Sequence, residues 1–137
     1  MKKRILAAAL CGMLLCACGE KKEESSSEMQ YIKTAVLYDT ITDMYENPDQ
    51  YLNKTYHMVG TLYPSKDDDG NVLYSIYAKE PGSDHGIGVE LDWSDFSGFS
   101  DYDKVTVEGK LEQEHGQYQG EKIDYLVLRV SLLEKRE

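Results

Sequence analysis

The stretch KVTVEGKLE, residues 104–112, alternates Val105, Val107, Gly109 and Leu111 with Lys104, Thr106, Glu108 and Lys110. A period of two puts the first set on one face of a strand and the second on the other. The glycine falls in the apolar set, where a strand gives up side-chain packing and gains room to bend or to let a second backbone approach. TYHMVGTLY, residues 55–63, repeats the pattern, with Tyr56, Met58, Gly60 and Leu62 against Thr55, His57, Val59 and Thr61. Two strands with a glycine at the same phase suit a small closed barrel, whose strands curve strongly enough to serve both halves of the sheet.

Three more strands read outward from this pair. Residues 72–78 follow the turn Asp67-Asp68-Asp69-Gly70, a hairpin signal because Asp and Gly tolerate positive φ. Residues 86–92 follow Pro81-Gly82. Residues 123–133 close the domain, with Leu126, Leu128, Val130 and Leu132 expected inward and Tyr125, Val127, Arg129 and Ser131 outward. Upstream, Leu37, Ile41, Met44 and Tyr45 share one helical face, and Pro48 ends the run. The expected fold is mainly β, a five-stranded OB-fold-like barrel with a short N-terminal helix packed on it.

The N-terminus follows a different plan. Lys2, Lys3 and Arg4 precede an uncharged run from Ile5 to Ala17, too short to span a bilayer, which needs roughly 20 apolar residues. The run exits through Leu15-Cys16-Ala17-Cys18, which resembles the lipobox of bacterial lipoproteins, where the cysteine is lipidated and becomes the new N-terminus. The resemblance implies lipidation at Cys18, since a cut before Cys16 would place Leu15 where a small residue is expected. Zinc and disulfide readings fail by count: cleavage removes Cys11 and Cys16 and leaves one cysteine. The polar segment GEKKEESSSEMQ, residues 19–30, cannot offset its ordering entropy by burial and reads as a tether. The expected organisation is a signal peptide at 1–17, the lipidated cysteine and linker at 18–32, and the barrel at 33–137.

From about Thr34 to Leu133 the chain is similar to a group of uncharacterised bacterial OB-fold lipoproteins. The matching pieces are TAVLYDTITDMYENPDQYLNKTYHMVGTL, GIGVELDW, DKVTVEGKLE and YLVLRVSLLE. The resemblance implies a fold and a location, the extracytoplasmic face of a bacterial membrane, but no activity. Relatives of this kind often carry a Cys-Cys pair before the third strand; here Pro81-Gly82-Ser83-Asp84-His85 stands in its place, so no thiol chemistry carries over.

Charge and motifs narrow the chemistry. The full chain carries 15 Lys+Arg against 25 Asp+Glu, a formal charge of −10. Loss of the basic leader residues would bring it to −13. Nucleic-acid binders gain much of their affinity from cations that neutralise phosphates, so a nucleic-acid partner is not expected. Residues 65–76 lack the carboxylates that a calcium loop needs at its first and twelfth positions, held here by Ser65 and Ile76. His57, His85 and His115 have no metal-site spacing, although Glu90 and Asp92 could join His57 on the barrel surface. No metal, cofactor, catalytic residue or activated nucleophile is expected, and the chain does not read as an enzyme.

Of 14 aromatic residues 11 are Tyr, a ring that stacks and a hydroxyl that hydrogen-bonds. OB-folds bind across their second and third strands and between two connecting loops. Tyr63, Tyr77, Glu90, Trp93 and Tyr118 fall there and are the expected ligand-binding residues. Tyr and acidic groups on a concave face suit sugars, peptides or cationic small molecules. The expected function is therefore a membrane-anchored, extracytoplasmic, non-catalytic binding module for a small molecule, glycan or peptide. The alternative is a structural protein that docks another cell-envelope protein.

Overall fold

The computed structural model describes residues 28–136; the leader, Cys18 and residues 19–27 of the tether lie outside the described residues. The elements are β1 (Met29–Tyr31), α1 (Leu37–Glu46), β2 (Thr55–Lys66), β3 (Val72–Lys79), β4 (Gly86–Asp92), β5 (Lys104–Tyr118) and β6 (Glu121–Lys135). Single 3-10 turns at Thr34–Val36 and Pro48–Gln50 flank the helix.

Strands β2 to β6 close on themselves. β3 pairs antiparallel with β2 and β4, β4 pairs in parallel with β6, and β6 pairs antiparallel with β5. β5 returns to β2 and closes the barrel. The chain is mainly β with the five-stranded OB-fold barrel and short helix that its sequence implies.

The glycines do what their phase suggests. Residues 55–61 of β2 pair with β5 and residues 61–66 with β3, so the strand must change partners near Gly60. A Cβ at Gly60 would lie 2.9 Å from Ile76 Cδ1 and 3.0 Å from the Tyr77 carbonyl oxygen. At Gly109 the β5–β6 register shifts: Glu108 faces Leu132 while Gly109 faces Val130. Ser131 is the extra residue, and its hydroxyl donates to the Glu108 carbonyl. A Cβ at Gly109 would lie 2.5 Å from the Arg129 carbonyl oxygen, so this position admits no side chain without backbone movement.

That bulge corrects the expected alternation of β6. One extra residue reverses the phase, so Leu133 is buried and Leu132 is only partly so. Val127, expected outward, is 2% exposed. The barrel core gathers Met58, Leu62, Ile76, Val89, Val105, Val107, Leu111 and Leu128, all at 0% exposure, with Leu37, Ile41 and Met44 of α1 packed in. Tyr45 leaves the expected stripe: it is 42% exposed and its hydroxyl donates to the Gly88 carbonyl at 2.7 Å. Asp43 ends the helix by accepting from Tyr51 Oη and Asn47 Nδ2, bonds that hold its carboxyl below the usual range.

Two segments extend beyond the sequence expectation. Met29–Tyr31, placed in the linker by composition, adds in parallel to the open edge of β2, and the Ile32 N–H donates to the His57 carbonyl. β5 and β6 run past the barrel as a hairpin arm to Tyr118 and Glu121. Gln119 and Gly120 turn the arm at φ 54° and 82°. Polar residues in 113–122 masked this arm, because a two-stranded ribbon outside a core needs no apolar alternation.

Candidate ligand face

Ile76 pairs with Val89 inside the barrel, so the residues on either side of each turn outward. The outward face of β2, β3 and β4 is therefore laid out in rows. One row runs Lys104, Thr61, Tyr77, Gly88 across β5, β2, β3 and β4. The next runs Tyr63, Ser75, Glu90, Val127 across β2, β3, β4 and β6.

Tyr63 and Tyr77 are diagonal neighbours on this face and stack, with ring centroids 4.3 Å apart and planes 18° from parallel. Tyr77 lies over Gly86, where any Cβ would sit 2.0 Å from the phenol oxygen, so glycine at 86 makes the space for the ring. Tyr102 meets Tyr63 edge-on at 5.6 Å. It holds a left-handed φ of 71° and is 61% exposed. Cations border this cluster. Lys104 stands in the row of Tyr77, and Lys79 is two residues along β3 on the same side. The Arg136 guanidinium donates to Thr106 Oγ1, two residues from Lys104. Two acids accompany them: Asp84 lies 3.9 Å from the Lys79 ammonium, and Glu134 faces Thr106 across β5 and β6.

Toward the hairpins the face becomes concave and acidic. A groove of about 490 Å³ is walled by Leu73, Tyr74, Trp93, Phe96 and Tyr125, with Glu90, Asp92, Glu114 and Arg129 facing it. A second, of about 500 Å³, lies between the two hairpins and is lined by Lys66, Ser75, Gly88, Gln117, Tyr118 and Ile123. Leu73, Glu90 and Tyr125 belong to both, which makes Glu90 their junction. Arg129 is held by three carboxylates: Glu112 at 2.9 Å, Asp92 at 3.1 Å, and Glu114. Burial pushes the Glu90 carboxyl up, Asp92 adds to the rise, and Arg129 opposes it. Burial, then Glu90, likewise raises the Tyr45 hydroxyl.

The hairpin tips meet. The Gln119 N–H donates to Asp68 Oδ2 at 3.1 Å, bridging the β5–β6 turn to the β2–β3 turn. Asp67 shapes its own turn by accepting the N–H groups of Asp69 and Asn71 on Oδ1.

Of the five residues expected to bind ligand, Glu90 and Trp93 line the first groove, and Glu90 and Tyr118 line the second. Tyr63 and Tyr77 line neither and form the separate stack. Sequence reasoning missed the Arg129 hub, Tyr45, Tyr102 and the clasp between hairpin tips. It also left open that Glu90 and Asp92 could join His57 on the barrel surface. His57 Nδ1 instead bonds Glu108 Oε2 at 2.7 Å, beneath the ring of Tyr31 at 4.6 Å. His115 pairs with Asp124 at 2.6 Å on the exposed arm. The register decides both pairings: Glu108 lies directly opposite His57, and Asp124 opposite His115. Among the described residues no three of His, Cys, Asp and Glu come together in metal-binding geometry.

No protein-family model matches the chain, and no curated protein matches it. Among solved structures it is similar to a small single-stranded DNA-binding protein from Streptomyces coelicolor, with a TM-score of 0.39 and 14% identity over 60% of this chain and 93% of that one. It is also similar to a mitochondrial single-stranded DNA-binding protein from S. cerevisiae, with a TM-score of 0.38 and 16% identity over the same shares. Both likenesses are of fold.

The expectation that nucleic acid is no partner is corrected here. The chains of like fold are single-stranded DNA-binding proteins by name. The physical flaw in the expectation is that it used net charge, a sum over the whole surface, where Lys79, Lys104 and Arg136 border the stacked rings locally. With it goes the reading of the chain as a binding module for a small molecule, glycan or peptide, or as a docking protein of the cell envelope.

Proposed function

We propose that the chain is a non-catalytic OB-fold binding module that takes the bases of single-stranded nucleic acid on its outward β2–β3 face. The observation that carries this reading is the Tyr63–Tyr77 stack with Lys104 in its row and Lys79 beside it. A base has a planar face for the rings, and its phosphate suits the lysines; stacking on an aromatic ring is worth about 1–3 kcal/mol per base.

The test is a titration of the full-length chain with a fluorescent oligothymidine at about 50 mM salt, where phosphate contacts are strongest. Saturable binding is expected, weakened by about 1–3 kcal/mol in Tyr63→Ala. With two or three cations engaged, the logarithm of affinity should fall against the logarithm of salt with a slope of about −1.4 to −2. No binding, or binding indifferent to Tyr63→Ala, overturns the proposal.

Location is a separate part of the proposal and rests on residues 1–18 alone. The basic start, the short apolar run and Leu15-Cys16-Ala17-Cys18 support a bacterial lipoprotein held at the extracytoplasmic face of a membrane by lipid on Cys18. Expression in a bacterium with labelled fatty acid should label the chain but not Cys18→Ala; label retained in the variant overturns it.

A further inference from the structure

Resting on the base-binding reading above, we infer that the site takes the end of a strand rather than its middle. The two sides of the Tyr63–Tyr77 stack differ in kind. On one side stand Lys79, Lys104 and Arg136, with Glu134 facing Thr106 and Asp84 3.9 Å from the Lys79 ammonium.

On the other side Glu90 follows two positions along the row of Tyr63, and Asp92, Glu112 and Glu114 lie beyond it. Arg129 is already shared among three of these carboxylates, and Lys110 stands 3.9 Å from Glu112. Four carboxylates against Arg129 and Lys110 leave that part of the face at −2. A phosphate chain led across it would set like charges together at partly buried sites, where screening by salt is weak.

The way out is closed as well. A strand continuing past the stack would have to pass between the β2–β3 and β5–β6 hairpins. The Asp68–Gln119 bond joins their tips. Both turns are shaped for this bond: Asp67 ties the first through its own backbone, and the left-handed Gln119 presents its N–H to Asp68. A strand can thus approach from the lysine side, lay its last bases on the rings and stop. A strand without an end has to cross the carboxylates or open the clasp.

The experiment compares linear and circular oligothymidine of about 60 nucleotides, each titrated against the full-length chain by anisotropy competition. The linear form is expected to bind about tenfold or more tightly than the circle, a difference of about 1.4 kcal/mol. The double variant Glu90→Gln, Asp68→Ala should bring the circle to within about threefold of the linear form. Equal affinity of both forms for the native chain overturns the inference while leaving base binding intact. A native chain that binds neither form overturns base binding and this inference with it. If the circle stays excluded in the double variant, the carboxylates and clasp are not the barrier and the inference falls on its stated cause.

Discussion

The barrel wall at Gly109 and the hairpin arm beyond residue 112 belong to the same two strands, yet different forces hold them. In the wall, Val105, Val107, Leu111 and Leu128 are fully buried, and the Gly109 backbone lies against that of Arg129. In the arm, Tyr118 is 49% and Ile123 39% exposed, and pairing is supported by exposed contacts such as His115 with Asp124. The wall is fixed by excluded volume. The arm is fixed by ladder hydrogen bonds and by the φ of its turn, so it should be the softer region under local opening.

Valine at Gly109 should have the largest effect, since two of the three atoms it meets, the nearest included, are Arg129 main chain and cannot swing away. Urea unfolding should show a loss on the order of 3 to 5 kcal/mol, or no folded protein. Valine at Gly60 should lose less, about 2 kcal/mol, because two of its three close neighbours are the side-chain ends of Ile76 and Leu37. A larger loss at Gly60 than at Gly109 would reverse the reading of which contact closes the barrel.

In the arm, Gly120→Ala meets open space but must hold φ 82°. A loss of about 1 kcal/mol is expected from strain alone. Tyr118→Ala should stay within about 0.5 kcal/mol in the same unfolding series. A loss at Tyr118 that matched the wall glycines would erase the distinction between wall and arm.

Glu90→Gln should act in the opposite direction and depend on pH. The folded carboxyl titrates above its ordinary value of 4.5, chiefly through burial. Below that value both proteins carry a neutral side chain and should be equally stable. As pH rises through the raised value, the native chain must ionise in a partly buried site and loses stability that the Gln variant keeps. Thermal midpoints that stay equal from pH 4 to pH 8 would show that Glu90 is solvated, and would also weaken its place as the junction of the grooves.

Legibility in the sequence followed the same divide. The wall announced itself because burial on one face enforces a period of two, so 55–62 and 104–111 carried both the strands and the bend points. α1 was legible through Leu37, Ile41 and Met44, which the barrel buries, while Tyr45 shared their spacing and went elsewhere for a hydrogen bond. The arm was hidden because it buries little. The bulge at Ser131 was hidden because one extra residue leaves no composition signal, although it decides whether Leu132 or Leu133 enters the core.

The outward face of β2, β3 and β4 was legible in part residue by residue but not as an arrangement. Tyr63, Tyr77 and Glu90 share the outward side, as alternation says they should, while Trp93 packs partly against the core. Alternation does not say which of them touch. The stack of Tyr63 on Tyr77 follows from the β2–β3 register and the absence of a side chain at Gly86. Arg129 became a hub because parallel pairing of β4 with β6 brought Asp92 beside it.

The three-residue strand β1 gives the barrel a defined mechanical attachment point. Met29, Gln30 and Tyr31 pair in parallel with Thr55, Tyr56 and His57, and the Tyr31 ring rests on His57. Tension applied along the chain from residue 28 would load those bonds together in shear, not one at a time as in peeling. It would enter the domain at β2, the strand that bonds to both β3 and β5. A pull too weak to break three pairs would leave the outward β2–β3 face undisturbed, while one strong enough would free residues 29–33 as slack before the closed barrel bore any load.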